Sequence, residues 1–350
     1  MKVLVLLEFG IPPYRDFLFR HLSSMKEVTD FLVVHTGQKF QDFNHPYNSQ
    51  EVRTNDFHHL SLHRDVLPLI DRFDLVISSF NIYRPMCWLP MIWKRKKWIL
   101  WGPGLGRNRL NWMNKLIRMP FIQRCCKFIV YTSSAKNELV ERWAIDGSKI
   151  LVANNTLFIP NAEYNSHTKR DYLLYVGRIQ ERKGLVKVLQ ALRILKQQRG
   201  IHIPFVIVGD GPYKKVLQEY VHKHGQEDQV HFYKETFDEN TLRKYFSKAL
   251  CYVSPDHVGL GVVHAFSYGV PVLTSTIKEH AREYQYCNKE NSILYSADSE
   301  LPNEIANLHE NPSLSYQRGK SGYEFYKDHL SHHHMNEIFS DAVKDCIKDT

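Results

Sequence analysis

The residues of this 350-residue chain best suited to chemistry lie in its second half, each just after a short apolar run. Arg178 follows YLLYVG, which ends in Gly177, and Lys183-Gly184 opens the helical stretch beyond it. Two cations beside a helix start suit an anionic ligand, because the free N–H groups and dipole there already favour negative charge. Gly209-Asp210-Gly211-Pro212 follows as the next such loop, a tight turn with proline at a helix start. Pro255-Asp256-His257-Val258-Gly259-Leu260-Gly261 comes after CYVS; its glycines let backbone approach a ligand closely, and the helical stretch beyond carries His264. Brought to one sheet edge, these loops could bind a diphosphate and leave a carboxylate beside it. Taken singly, each has a plainer reading: Arg178 as a surface ion pair, Gly259 and Gly261 as turn formers, His264 as a satisfied helix histidine, Asp256 as a helix cap.

Positioning such loops requires strands that alternate with helices. Strand-like runs occur at residues 2–9, 31–35, 75–80, 98–101, 128–132 and 150–153, with helical patterns at 15–25 and 134–143 among them. In the second half, YLLYVG, PFVIVG, VHFY, CYVS and VPVLTS alternate with GLVKVLQALRILKQQ, PYKKVLQEYVHKHG, ENTLRKYFSKA and GVVHAFSYG. Short connections of this kind wind parallel sheets with helices on both faces and place ligands at the strands' carboxyl ends. Residues 158–170 lose apolar periodicity and gain Asn, Pro and Ser, as a linker does. The expected class is α/β, with doubly wound parallel-sheet domains over 1–157 and 171–328. A terminal helix over 329–350 could cross back to the first domain.

Composition, 43% hydrophobic and 24% charged, excludes collagen-like, coiled-coil and mostly disordered chains. No apolar run approaches the roughly 20 residues that span a bilayer, and Glu8 with Pro12-Pro13 makes the opening MKVLVLLEFG a buried strand rather than a leader. Six scattered cysteines without a C-x-x-C pair suit reduced thiols in a cytosol, and His332-His333-His334 reads as a solvated tract rather than a metal site. The net charge of +9 is uneven: residues 1–165 hold 22 Lys and Arg against 14 Asp and Glu. No acid occurs between Asp74 and Glu138, where Lys94, Arg95, Lys96, Lys97, Arg107, Arg109 and Lys115 alternate with Trp88, Trp93, Trp98, Trp101 and Trp112. Such a basic, aromatic face favours an anionic membrane surface or a pyrophosphate-linked acceptor; charge alone suggests nucleic acid, which is not expected.

VGRIQERKG (176–184), VGDGP (208–212) and VSPDHVGLGVVHAFSYGVPVLTS (253–275) together resemble the donor-binding half of retaining family 4 glycosyltransferases of the GT-B fold, the glycosyl transferases group 1. More loosely, LLEFGIPPYRDFLFRHLS, WGPGLG and FIVYTSSAKNEL followed by KILVANNTL are similar to the same family's acceptor domain. The resemblance implies two Rossmann-like domains facing a central cleft. It implies that Arg178 and Lys183 hold the donor's diphosphate and neutralise the leaving group, and that Gly177, Gly209, Asp210, Gly259, Leu260 and the helix start after them line the same site. The family's Glu-x7-Glu pair, one carboxylate near the donor sugar and one on the ribose, falls on Asp256 and His264. Catalytic roles go to Arg178, Lys183 and Asp256. Gly10, Arg15, Lys94, Arg95, Lys96, Lys97 and Gly104 are expected to face acceptor or membrane. Pro103 stands in WGPGLG where many relatives present His, and Gly10 lacks a second glycine in its loop.

No D-x-D sequence occurs, so no metal and no cofactor is expected, and a nucleotide-diphosphate sugar would enter as substrate. G-x-S-x-G and P-loop signatures are also missing from the sequence. The expectation is a cytoplasmic enzyme, peripheral at the inner face of the membrane. It would move a hexose with retention onto a glycan or lipid-pyrophosphate-linked glycan in surface polysaccharide assembly. A nucleotide-sugar epimerase or hydrolase on the same fold, and a non-catalytic glycan- or membrane-binding relative, are the alternatives.

Overall fold

The structure, a computed structural model, describes residues 1–36, 44–52, 55–57, 60–62, 65–104, 112–165, 168–277 and 280–348. Arg107, Arg109, the last two residues of WGPGLG, and the side chains of Trp112 and Lys115 lie outside what is described. Two compact units emerge, Met1–Phe158 with His332–Thr350, and Ile159–Ser331.

In the first unit the strands are β1 (Lys2–Leu6), β2 (Asp30–His35), β3 (Asn48–Glu51), β4 (Asn55–Phe57), β5 (Leu60–Leu62), β6 (Leu75–Ser79), β7 (Lys97–Gly102), β8 (Lys127–Val130) and β9 (Ile150–Val152). Seven of them form one parallel sheet in the order β3-β2-β1-β6-β7-β8-β9, and β4 pairs with β5 as a separate hairpin. VLVL of β1 and WILW of β7 are buried along their lengths because helices cover both faces of the sheet. Those helices include α1 (Asp16–Ser23), α2 (Val66–Asp71), α3 (Trp112–Arg124) and α4 (Ser133–Asn137). The terminal helix His332–Lys348 joins them: Met335, Phe339, Val343 and Cys346 fall on one stripe at helical spacing. That stripe packs with Val3, Val5, Ile99 and Trp101, and the Phe339 ring meets Trp101 edge-on at 5.0 Å.

The second unit repeats the pattern with β10 (Tyr172–Val176), β11 (Phe205–Val208), β12 (Val230–Tyr233), β13 (Ala249–Val253), β14 (Val272–Ser275) and β15 (Ser292–Tyr295), all parallel in the order β12-β11-β10-β13-β14-β15. Its helices are α5 (Leu185–Arg199), α6 (Lys214–Lys223), α7 (Glu239–Ser247), α8 (Gly261–Ser267), α9 (Leu301–Glu310) and α10 (Pro312–Phe325). Residues 159–170 belong to this unit rather than hanging between the two. Arg170 is buried there, donating to the Gly269 carbonyl at 2.7 Å and the Ser315 carbonyl at 3.0 Å, with its guanidinium over the Tyr316 ring.

Both units therefore have the expected α/β class, and both strand orders reverse once. In the first the order turns between β1 and β6, in the second between β10 and β13. A crevice opens outside the carboxyl ends of the strands at such a reversal, and ligands of open α/β sheets bind there. Among the described residues no helix is long and apolar enough to cross a membrane.

Candidate active site

The reversal in the second unit lies between the loops after β10 and β13, which carry Arg178, Lys183, Asp256 and Gly259. Two glycines let the loops after β10, β11 and β13 approach one another. At Gly209, φ is +153° and a Cβ would fall 2.1 Å from the Gly177 carbonyl oxygen, so the loops after β10 and β11 touch only because no side chain intervenes. At Gly184, φ is +70° and a Cβ would meet Asp256 Oδ2 at 2.6 Å. Glycine there lets the Asp256 carboxylate lie against the start of α5.

The two lysines of this segment differ sharply. Lys187, one turn beyond Lys183, pairs with Asp256 Oδ1 at 2.7 Å and with Asp298 Oδ2 at 2.7 Å. Lys183 donates only to the His257 carbonyl, at 2.8 Å, and has no carboxylate partner among the described residues. Burial, aided by neighbouring Arg182 and opposed by Glu283, pushes its ammonium down to about 8. Nearby, Arg178 is exposed and its guanidinium makes no hydrogen bond or ion pair among the described residues. Gly259 borders the same lysine, since a Cβ there would lie 3.6 Å from Lys183 Nζ. Leu260 and Gly261 lead directly into α8. Asp210 is exposed at the neighbouring loop, where its carboxylate accepts from the Gly211 N–H at 2.6 Å.

Asp256 is buried and held by Lys187, so the structure gives it a fixed rather than a free carboxylate. His264 lies one turn into α8, where its Nε2 is 3.1 Å from Glu239 Oε1. Sequence reasoning passed over Glu239, and equally over His280. The latter accepts from the Val258 N–H at 3.1 Å through Nδ1, and its Nε2 donates to the Ser275 carbonyl at 2.7 Å, pinning the loop after β13 to the end of β14. Burial lowers its pKa, keeping the ring neutral with one nitrogen donating and the other accepting. Neither residue belongs to a local motif; both are brought in by the sheet.

In the first unit the reversal lies between the loops after β1 and β6. Gly10 is buried in the first of these. Close by, Asn81 Nδ2 donates to Glu8 Oε2 at 2.5 Å, and Arg84 lies over the Phe9 ring at 5.2 Å. In the sequence Glu8 marks only the end of the apolar opening, and Asn81 and Arg84 were not singled out. Arg15 is buried beneath the terminal helix, donating to Asn155 Oδ1 and lying 5.0 Å from the Trp101 ring centroid. Gly104 has φ +76° and its carbonyl accepts from Arg118 at 2.9 Å.

The tetrabasic run is largely committed inside this unit. Lys94 pairs with Asp71 at 2.5 Å, Lys96 donates to the Asp71 carbonyl at 3.0 Å, and Lys97 donates to the Cys346 carbonyl at 2.5 Å. Arg95 alone of the four is exposed without a partner among the described residues. Of the tryptophans, Trp88, Trp98 and Trp101 are core residues, whereas Trp93 is 50% exposed beside Ile92 at 54%.

Residues 161–325 match the family described as glycosyl transferases group 1. Over 309 residues the chain is 21% identical to the O-antigen chain mannosyltransferase B of Escherichia coli, covering 77% of this chain and 79% of that protein. Among solved structures, HepE of Anabaena in complex with UDP is similar with TM-score 0.75 and 14% identity, over 98% of this chain and 100% of that one. The lipopolysaccharide outer core galactosyltransferase WaaB aligns with TM-score 0.70 and 15% identity, over 98% and 99%. Sucrose-phosphate synthase of Thermosynechococcus elongatus does so with TM-score 0.72 and 16% identity, over 100% of both chains. Residues 161–325, within the second unit, thus match the group 1 glycosyl transferases, and the two parallel-sheet, Rossmann-like units have the GT-B fold that these structures share.

Proposed function

We propose that this chain is a retaining family 4 hexosyltransferase that takes its sugar from a nucleotide-diphosphate donor without a metal. The observation that carries the reading is the contrast at the second unit's sheet reversal: Lys187 is neutralised by two carboxylates, while Lys183 and Arg178 are not paired with any among the described residues. A half-buried ammonium with a lowered pKa is stabilised when an anion arrives. The diphosphate of a nucleotide sugar supplies that anion, and its negative charge grows as the glycosidic bond breaks. Arg178 and Lys183 would bear that charge, with Gly259 leaving room for backbone to approach it. Asp256, fixed by Lys187, would stand beside the sugar as an oriented carboxylate. HepE binds UDP and UDP-glucose, and the mannosyl- and galactosyltransferase likenesses fit a hexose donor.

On the acceptor side, the Glu8–Asn81 pair and Arg84 occupy the reversal of the first unit, where paired planar polar groups suit the hydroxyls of a glycan. O-antigen and lipopolysaccharide core assembly by the two relatives supports a surface polysaccharide acceptor, lipid-linked in the first instance. Exposed Trp93, Ile92 and Arg95 offer the anchor for an anionic cytoplasmic membrane face.

The test is incubation with a panel of nucleotide sugars, with and without a lipid-pyrophosphate-linked glycan, scoring free nucleotide and the anomer formed. Nucleotide release that depends on acceptor, with an anomer matching that of the donor, is expected, and excess EDTA should leave it intact. Release without acceptor would point to a hydrolase or epimerase, and EDTA inactivation reversed by manganese would overturn the metal-free route.

A further inference from the structure

Glu239 is the first residue of α7, reached by a short loop from the carboxyl end of β12, and His264 lies one turn into α8, beyond the loop that leaves the carboxyl end of β13. Both therefore lie toward the ligand edge of the second sheet. Their side chains meet with Glu239 Oε1 at 3.1 Å from His264 Nε2, while Glu239 Oε2 accepts from Tyr268 Oη at 3.1 Å. Both rings stack on Phe246, with centroids 5.8 Å and 5.6 Å from it, so the imidazole is held in plane as well as at its edge. An ionised carboxylate can only accept hydrogen bonds, which puts the proton on Nε2. The other ring nitrogen, Nδ1, has no partner among the described residues and, in the neutral ring, carries a lone pair.

We propose that Glu239 is a positioning residue that fixes His264 as a hydrogen-bond acceptor for a ribose hydroxyl of the nucleotide donor. The proposal rests on the donor-site reading above. The carboxylate on α7 keeps its charge and polarises the imidazole, so that Nδ1 on α8 is the stronger acceptor toward the ligand. Without Glu239 the ring is free to carry its proton on either nitrogen, and the form with Nδ1–H cannot accept from the hydroxyl. Tyr268 holds the second carboxylate oxygen and so sets the direction of the first.

The experiment is calorimetric binding of UDP and GDP to the full chain, each in its ribose and 2′,3′-dideoxyribose form. For whichever base binds, the ribose form is expected to be tighter by about tenfold or more, because a site built to pair with a hydroxyl rejects the analogue that lacks it. Glu239→Ala should compress that ratio to within about threefold. Glu239→Gln, whose amide oxygen still accepts from Nε2, should keep most of it, a rescue that simple packing loss would not give. A parent that binds ribose and dideoxyribose forms equally overturns the proposal, and this needs no variant to fold. A folded Glu239→Ala protein with the parent's ratio overturns it as well. If neither nucleoside diphosphate binds the parent, the donor-site reading fails and this proposal falls with it. If the ribose form binds and Arg178→Ala removes that binding while the ratio stays near one, only this proposal fails.

Discussion

Residues 1–165 carry nearly all of the chain's excess positive charge, yet among the described residues the second unit holds the cations left without a carboxylate at a sheet reversal. Residues 1–165 have 22 Lys and Arg against 14 acids. Even so, Lys94, Lys96 and Lys97 are satisfied by Asp71 and by the Cys346 carbonyl, and Arg15 is buried against Asn155 and Trp101. In the second unit charge is nearly balanced, but Lys183 and Arg178 stand at the sheet reversal without carboxylate partners among the described residues. At the equivalent place in the first unit stands a carboxylate, Glu8, gripped by Asn81. Charge summed along a sequence thus reports solvation and internal bonding; what a ligand meets is the local remainder after intrachain pairing.

This contrast would break most visibly at its strongest point. Arg178→Ala and Lys183→Ala are each expected to lower turnover by about a hundredfold or more with little change in melting temperature, because in the proposed reaction both would bear the charge that develops as the diphosphate leaves. Steady-state rates near those of the parent in either variant would remove these residues from the reaction.

A second test is pH. Folding lowers the Lys183 pKa from 10.5 to about 8, mainly by burial. Between those values the unfolded chain binds more protons than the folded one, so the ligand-free protein gains stability from this group as pH rises from about 8 toward 10.5. A bound diphosphate favours the ammonium, so nucleotide affinity should fall above about pH 8, by up to tenfold per unit. Lys183→Arg should flatten that fall, since guanidinium stays charged. An affinity profile that is level from pH 7 to 10 in the parent would mean that Lys183 does not meet the anion.

The smallest expected effects concern the first unit's surface. Sedimentation with anionic vesicles should weaken several-fold on changing Trp93 and Arg95 to Ser, and lose its salt dependence. Changing Lys94 and Lys96 to Ser should alter it by less than about twofold, because both already serve Asp71. Equal losses from both pairs would show that charge, not exposure, governs the surface.

Much of this was legible in the sequence where local pattern and tertiary role coincide. GLVKVLQALRILKQQ became α5 because its apolar positions repeat at helical spacing, and PFVIVG became β11 because a strand buried on both faces is apolar throughout. Conversely, β3 reads NSQE and is exposed along its length, so no hydrophobic pattern marks it; only its hydrogen bonds to β2 make it a strand. The candidate loops after β10, β11 and β13 were visible through their glycines and cations. Glu8, Asn81, Glu239 and His280 were not, because each works through a partner distant in sequence, and a lone polar residue in a helix or loop carries no local signature. Commitment of lysines was illegible for the same reason: nothing near Lys97 announces that it will reach the carbonyl of Cys346.

The central claim, that the unpaired cations of the second unit bind the diphosphate of a nucleotide donor, is tested most directly by calorimetry. The affinities of nucleoside, nucleoside monophosphate and nucleoside diphosphate are compared in the parent and in Arg178→Ala. The diphosphate is expected to bind the parent at least about a hundredfold tighter than the nucleoside, and Arg178→Ala to remove most of that difference while leaving nucleoside affinity nearly unchanged. Equal affinity of the parent for nucleoside and diphosphate, or a variant that keeps the full difference, would contradict it.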